Sequence, residues 1–279
     1  MSKVILITGG SSGIGYEAAL MLAAKGHTVY AAARRADKLE PLGEHGVKTL
    51  LLDVNDEKSA QSCVQSVLDA EGRIDVLVNN AGYGYFGPVE CVPLEEARRQ
   101  METNVFGLST MCRLVIPHMR SQSSGRIINI SSLAGQSCFL YGGWYHVSKY
   151  SVEALSDSLR IELKPFGIDV VKIEPGGIRT QWGHIAGDHL KECTEGSVYE
   201  TSAAKEAALM HYGYSSNYLT SPTVVARAIT RAAVSRRPRV RYRVGLGAKS
   251  LAFLHTVLPD RWWDAGMRLL GGPLRTPTA

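Results

Sequence analysis

Short apolar runs alternate with longer amphipathic stretches along most of the chain. Val4-Ile5-Leu6-Ile7, Val29-Tyr30-Ala31-Ala32-Ala33, Thr49-Leu50-Leu51-Leu52 and Val76-Leu77-Val78 are continuous apolar runs, several rich in β-branched residues. A run without alternating polar positions reads as a strand covered on both faces, as in a parallel sheet. Strands are expected near residues 4–8, 28–33, 47–52, 74–79, 125–131, 168–174 and 239–243. Helices fill the gaps, with long ones near 94–121 and 145–165. This alternation predicts an α/β architecture: a doubly wound, seven-stranded parallel sheet flanked by helices, with right-handed crossovers. Such sheets bind ligands beyond the carboxyl ends of their strands. Thr8, Ala33, Asp53, Asn80, Ser131 and Pro175 all fall at that edge, so the pattern alone points to one site there.

Two stretches depart from the pattern. Residues 181–220 are polar and mixed, and they read as a long irregular insertion that would act as a loop or flap over a ligand. The tail from Ala248 is apolar with nearby Arg and Trp, as in Phe253-Leu254 and Arg261-Trp262-Trp263. It reads as packing within the fold, a subunit interface or the wall of a bulky substrate pocket, or alternatively as peripheral contact with a membrane surface. One domain is expected over residues 1–271, followed by a flexible tail, 272–279.

The first strand runs into Thr8-Gly9-Gly10-Ser11-Ser12-Gly13-Ile14-Gly15, and then into an amphipathic run. Strand, tight glycine turn and helix form a Rossmann-type dinucleotide start. Glycines let the backbone turn and approach a pyrophosphate, while the helix N-terminus offers free N–H groups to the anion. An ordinary strand–helix connection is the competing reading of the turn alone. Further along, Tyr145 and Lys149 stand four apart, one helical turn from each other on one face. A free phenol has a pKa of about 10, too high for proton transfer near neutrality, and a neighbouring ammonium would favour the phenolate.

The glycine turn, Asn79-Asn80-Ala81-Gly82, Asn104, Ser132, Tyr145, Lys149 and Pro175-Gly176 resemble, in order and spacing, the short-chain dehydrogenase/reductases. The resemblance runs from residue 3 to about residue 180 and more loosely to about residue 245. The TGxxSGIG opening and the Arg after the second strand resemble the branch containing 17β-hydroxysteroid and retinol dehydrogenases and bacterial carbonyl reductases. This resemblance implies that Tyr145 is the general acid in carbonyl reduction and the base in alcohol oxidation. It implies that Lys149 lowers the phenol's pKa and bonds the nicotinamide ribose. Ser132, thirteen residues before Tyr145, would hold the substrate oxygen, and Asn104 would position a water in a proton relay. Gly9, Ser11, Ser12, Gly13, Ile14, Gly15, Asn80, Ala81, Gly82, Pro175, Gly176, Ile178 and Thr180 would contact the dinucleotide.

The cofactor itself is read from the end of the second strand. An acidic residue there would bond the adenosine-ribose 2′-hydroxyl and select NAD. Ala33 takes that place, followed by Arg34 and Arg35, whose planar cations suit the 2′-phosphate of NADP(H). Asp53 and Val54 fit a contact to the adenine ring, with a helix-capping Asp53 as the bland alternative. Substrate walls are expected from residues 82–85, 136–144 and 181–220; Phe139, Tyr141 and Trp144 favour a bulky apolar substrate, such as a steroid, a retinoid or an aromatic ketone. An NADP-binding sensor or scaffold without turnover is the competing class, and the full set Asn104, Ser132, Tyr145 and Lys149 counts against it.

Composition narrows the partners. Net charge is only +5 over 279 residues, and part of the excess lies in Arg236-Arg237-Pro238-Arg239-Val240-Arg241-Tyr242-Arg243. That run reads as a last edge strand with polar groups outward rather than a nucleic-acid site. Five scattered cysteines with no C-x-x-C argue for a reducing, cytoplasmic setting and no metal site. Cys138 reads as a small apolar filler or an exposed thiol near the site. Neither a signal peptide nor a transmembrane run is expected. The long helices suggest a homodimer or homotetramer.

Overall fold

The computed structural model describes residues 2–271. The tail expected over 272–279 lies outside the described residues. Chain order is β1 (Val4–Thr8), α1 (Gly13–Ala23), β2 (Thr28–Ala33), α2 (Ala36–Gly43), β3 (Lys48–Leu51) and α3 (Glu57–Glu71). There follow β4 (Val76–Asn79), α4 (Leu94–Met101), α5 (Leu108–Ser121), β5 (Gly125–Ile130), α6 (Gly143–Leu163) and β6 (Ile168–Pro175). The chain continues through α7 (Trp182–Thr194), α8 (Glu200–Ser215), α9 (Pro222–Val234), β7 (Arg241–Val244), α10 (Ser250–Val257) and α11 (Asp260–Gly271).

The seven strands form one sheet in the order β3-β2-β1-β4-β5-β6-β7, and every pairing is parallel. Strand order reverses between β1 and β4, which opens a crevice at the carboxyl edge. Period-two geometry sends alternate residues of β1 to opposite layers. Ile5 and Ile7 pack with α1, α2 and α9, while Val4 and Leu6 pack with α3, α5 and α6. Both layers are dry, which explains the uninterrupted apolar strands.

One arginine ties a helix to the sheet. Arg126 of β5, 7 % exposed, donates to the carbonyls of Ala232, Ala233 and Ser235 at 2.7–2.9 Å, satisfying carbonyls left over at the end of α9. Its other arm pairs with Asp169 at 3.0 Å.

Four expectations are corrected. The long helix over 94–121 is interrupted by a π-helical segment, Glu102–Gly107. Residues 181–220 are not irregular, because most of them form α7 and α8, which pack on each other. The polar groups of β7 do not point to solvent. Arg243 pairs with Glu174 at 3.0 Å, Arg241 with Glu153 at 3.2 Å and with Glu174, and buried Lys172 with Glu153 at 2.7 Å. Three cations therefore neutralise Glu153, Glu174 and Asp157 between β6, β7 and α6. Such an arrangement is tolerated only because nearly every charge is paired. Cys138 is exposed rather than a filler. Among the described residues no helix is long and apolar enough to cross a membrane.

Candidate active site

The glycine turn after β1 is shaped by close approach. Gly9 sits at φ +67°, and a Cβ there would lie 2.8 Å from Ala81 Cα. A Cβ on Gly15 would lie 2.5 Å from Asn80 Nδ2. Asn80 is the strap that closes this turn, donating to the carbonyls of Thr8 at 3.1 Å and Gly9 at 3.0 Å. Thr8 Oγ1 accepts in return from Asn80 N and Ala81 N, both at 3.1 Å. Ser12 caps α1 with extended backbone and no side-chain cap, and the first turn carries no acidic residue. Its N–H groups and dipole therefore face the crevice without an internal anion.

Arg34 and Arg35 follow at the end of β2, exposed and without an ion-pair partner among the described residues. Asp53 Oδ1 accepts from Asn55 N at 3.0 Å and shapes the turn after β3. The cap of α3 is Asp56, which accepts from Lys58 N at 2.9 Å, so the capping alternative for Asp53 does not hold.

At the crevice's centre, the first turns of α6 bring Tyr145 and Lys149 beside Ser132. Tyr145 is 8 % exposed and its ring lies 5.0 Å from Trp182 and 5.7 Å from Phe86. Burial pushes the phenol up to about 12, and a hydrogen bond with Ser132 pulls only partly the other way. The expected downward pull of Lys149 is not seen. Its ammonium is 5.8 Å from the phenol ring and is committed to the Ile130 carbonyl at 2.9 Å. Burial brings Lys149 down to about 8, with Glu153 opposing. Ser132 also caps the single turn Leu133–Gly135, accepting from Ala134 N at 3.1 Å. The same side chain thus caps this turn and hydrogen-bonds the Tyr145 phenol.

Asn104 does not line the crevice. It sits 1 % exposed in the π-helical segment, a distortion that often marks functional positions. Its amide clamps both backbone groups of Tyr83, accepting from N at 3.0 Å and donating to O at 2.8 Å, and donates to Ser148 Oγ at 3.0 Å. His146 gave no signal in the sequence beyond its neighbours. Its Nε2 accepts from Phe139 N at 2.9 Å, so Nδ1–H donates to the Ala134 carbonyl at 3.0 Å. Burial lowers its pKa and keeps the ring neutral, and that ring pins the Ser132 turn to α6.

These groups border a single cavity of about 840 Å³. Of the residues named from the sequence, all line it except Gly15, Asn104, Tyr141 and Trp144. Gly15 and Asn104 stand behind the wall. Trp144 precedes Tyr145 by about 100° of helix and packs instead with Tyr85, Val92 and Ala97. Tyr141, at φ +60°, turns its hydroxyl to Ser202 at 2.8 Å. Phe139 does line the cavity, joined by Trp182, Ile185, Glu206, Met210 and Tyr214 of the expected 181–220 wall, by Leu251 of the tail and by Phe86, which the sequence did not single out.

Comparison with known proteins agrees with this geometry. The short chain dehydrogenase family profile matches residues 3–190. A probable short-chain type dehydrogenase/reductase of Helicobacter pylori is 36 % identical, covering 95 % of this chain and 96 % of its own. A 3-ketodihydrosphingosine reductase of Bacteroides thetaiotaomicron is 35 % identical, covering 96 % and 97 %. The crystal structure of a short-chain dehydrogenase from Streptomyces avermitilis superposes with TM-score 0.79 at 32 % identity, covering 95 % of each chain. Among similar structures, a serine dehydrogenase is complexed with NADP+ (TM-score 0.76, 25 % identity, 87 % and 94 % covered). A 3-ketoacyl-(acyl-carrier-protein) reductase from Brucella melitensis is complexed with NADH (TM-score 0.73, 27 % identity, 88 % and 98 % covered). With the family profile matching residues 3–190 and relatives 35–36 % identical over nearly the whole chain, the chain belongs to the short-chain dehydrogenase family of oxidoreductases.

Proposed function

We propose that this oxidoreductase is NADP(H)-dependent and interconverts a ketone or aldehyde with the corresponding alcohol on a bulky apolar substrate. The observation that carries the reading is the convergence of Tyr145, Ser132 and Lys149 on the same cavity as the glycine turn and Arg34. The fit to a dinucleotide rests on three features. Gly9 brings the turn within a Cβ's reach of Ala81, the first-turn N–H groups of α1 are uncapped, and Arg34 and Arg35 lack a protein anion among the described residues. The α1 N-terminus would hold the pyrophosphate, the two arginines the 2′-phosphate, Asp53 and Val54 the adenine side, and Ile178 and Thr180 the nicotinamide side.

The bound nicotinamide supplies hydride to a carbonyl or accepts it from an alcohol. Tyr145 donates its phenolic proton to the carbonyl oxygen, and Ser132 gives that oxygen a second donor as charge develops. In its protonated form Lys149 keeps a positive charge near the phenol while the proton leaves. Asn104 and His146 act through position, one holding Tyr83 and α6, the other the Ser132 turn. The apolar wall of Phe86, Phe139, Trp182 and Met210 sets the substrate class, with α7 and α8 as the flap. A steroid, a retinoid and an aromatic ketone fit that wall, and the Bacteroides relative adds a long-chain ketone. We place residues 1–271 in one domain. Leu94, Phe106, Val147, Tyr150 and Ile161 stay exposed on the long helices, which supports a homodimer or homotetramer in the cytoplasm.

The test is consumption of NADPH against NADH over a panel of aromatic, steroidal, retinoid and long-chain carbonyls. Tyr145→Phe is expected to lose at least about 10³-fold in kcat, within the range of general acid catalysis, while still binding NADPH. NADPH binding with no turnover of any carbonyl would favour the sensor reading instead.

A further inference from the structure

The apolar arm of the cavity holds one group that does not suit it. Among the described residues Asp53 and Glu206 are the only carboxylates lining the cavity, and Asp53 belongs to the turn after β3. Glu206 lies on α8, and Glu206, Met210 and Tyr214 line the cavity at four-residue spacing, so a single helix face presents all three. Trp182 and Ile185 of α7 and Leu251 of α10 line the same arm. Glu206 is half-buried and has no hydrogen bond or ion pair among the described residues. Burial raises its pKa with no charged neighbour contributing. Each other charge on the cavity wall has a role already. Lys149 is held by Ile130, and Arg34 and Arg35 stand at the end of β2.

A partly desolvated carboxylate without a counterion is costly. Within a substrate cavity the missing partner is something the substrate brings. A neutral steroid or hydrocarbon ketone would leave Glu206 desolvated and unpaired, which disfavours it, whereas an ammonium would be bonded by charge-assisted hydrogen bonds. Resting on the carbonyl-reductase reading, we infer that the natural substrate is a largely hydrocarbon carbonyl compound carrying a protonated amine, and that Glu206 is the residue that selects the amine. Alcohols of the same skeleton are then the product class, and the amine stays untouched while hydride and proton add across the carbonyl.

The experiment compares ketones on one long alkyl chain, with the amine placed one to four carbons from the carbonyl, against partners bearing methyl in place of the amine. In the wild type, at least one amino ketone should exceed its methyl partner by about tenfold or more in kcat/KM, as expected for a hydrogen bond to a charged group. Glu206→Gln should erase that preference from both sides, raising KM for the amino ketone and lowering it for the methyl partner, with kcat within about twofold. Equal kcat/KM for every pair, or a preference that survives in Glu206→Gln, overturns the inference. If no ketone of either type is reduced, the enzyme reading fails and binding decides the role of Glu206. In that case n-decylammonium should quench Trp182 fluorescence at about tenfold lower concentration than n-decanol, and Glu206→Gln should abolish the difference. Equal titrations would overturn the role.

Discussion

The two arms of the cavity are built by different means. The arm beyond β1, β2 and β3 is made of backbone. Gly9 is within a Cβ's reach of Ala81, Asn80 bonds the carbonyls of Thr8 and Gly9, and the open N–H groups of α1 face the crevice. The arm beyond α7 and α8 is made of side chains carried on helices that pack through Gly183, Ala186, Ala203 and Ala207. Trp182, Glu206, Met210 and Tyr214 can be exchanged there without moving a strand. A backbone site recognises one invariant group, because any change of main-chain path destroys it. A side-chain site is where substrate choice can vary, and Tyr145 and Ser132 stand at the seam between the two.

The sharpest way to break this contrast is a matched pair of glycine substitutions. Gly9→Val puts a branched Cβ at φ +67° and 2.8 Å from main-chain Ala81, a combination of strain and clash with no flexible neighbour to yield. NADPH affinity should fall by about 100-fold or more by calorimetry, with circular dichroism confirming that the sheet persists. Gly183→Val meets the Tyr214 ring at 2.2 Å, a side chain that can move. It should raise substrate KM and leave NADPH affinity within about threefold. Equal effects of both substitutions on NADPH would mean the arms are not separable.

A smaller effect sharpens the cofactor end. Arg34→Ala removes a planar cation with no ion-pair partner among the described residues, so its loss should cost only what it gives the 2′-phosphate. NADPH should lose about tenfold to 100-fold in kcat/KM, the scale of one charged hydrogen bond, while NADH is unchanged. A loss shared equally by both would assign Arg34 to the fold or the pyrophosphate.

The same contrast explains what could be read in advance. The strands were legible to within about two residues: β1, β2 and β4 are buried on both faces and carry continuous apolar runs, and β3 carries such a run although most of it is exposed at the sheet edge. The backbone arm was legible because glycines at fixed offsets are demanded by its geometry. The helices α7 and α8 were not, since their buried residues include Gly183, Gly187, Ala186, Ala203, Ala207 and Ser202, which register no hydrophobic period. Tyr141 and Trp144 looked like substrate walls by nearness to Tyr145, but one helix step and one left-handed residue turn them away. Glu206, Met210 and Tyr214 did carry a signal, their four-residue spacing, yet it means nothing until the helix and the cavity are both in place.

The seam itself has a pH signature. On the proposed mechanism two groups are protonated for reduction, the Tyr145 phenol and the Lys149 ammonium. Burial acts on them in opposite directions because it disfavours whichever form is charged. The phenol rises to about 12 and the ammonium falls to about 8. From neutrality upward, Lys149 is the first of the two to lose its proton, and Tyr145 keeps its own throughout the accessible range. For carbonyl reduction kcat/KM, which reports the free enzyme, the rate should hold level from about pH 6.5 to 7.5, fall through about 8, and then drop about tenfold per unit. Lys149→Arg keeps a cation at every pH, so its residual activity should lose that limb. A profile level to pH 10 would place the ammonium outside proton transfer. The same falling limb in the arginine variant would assign the titration to another group.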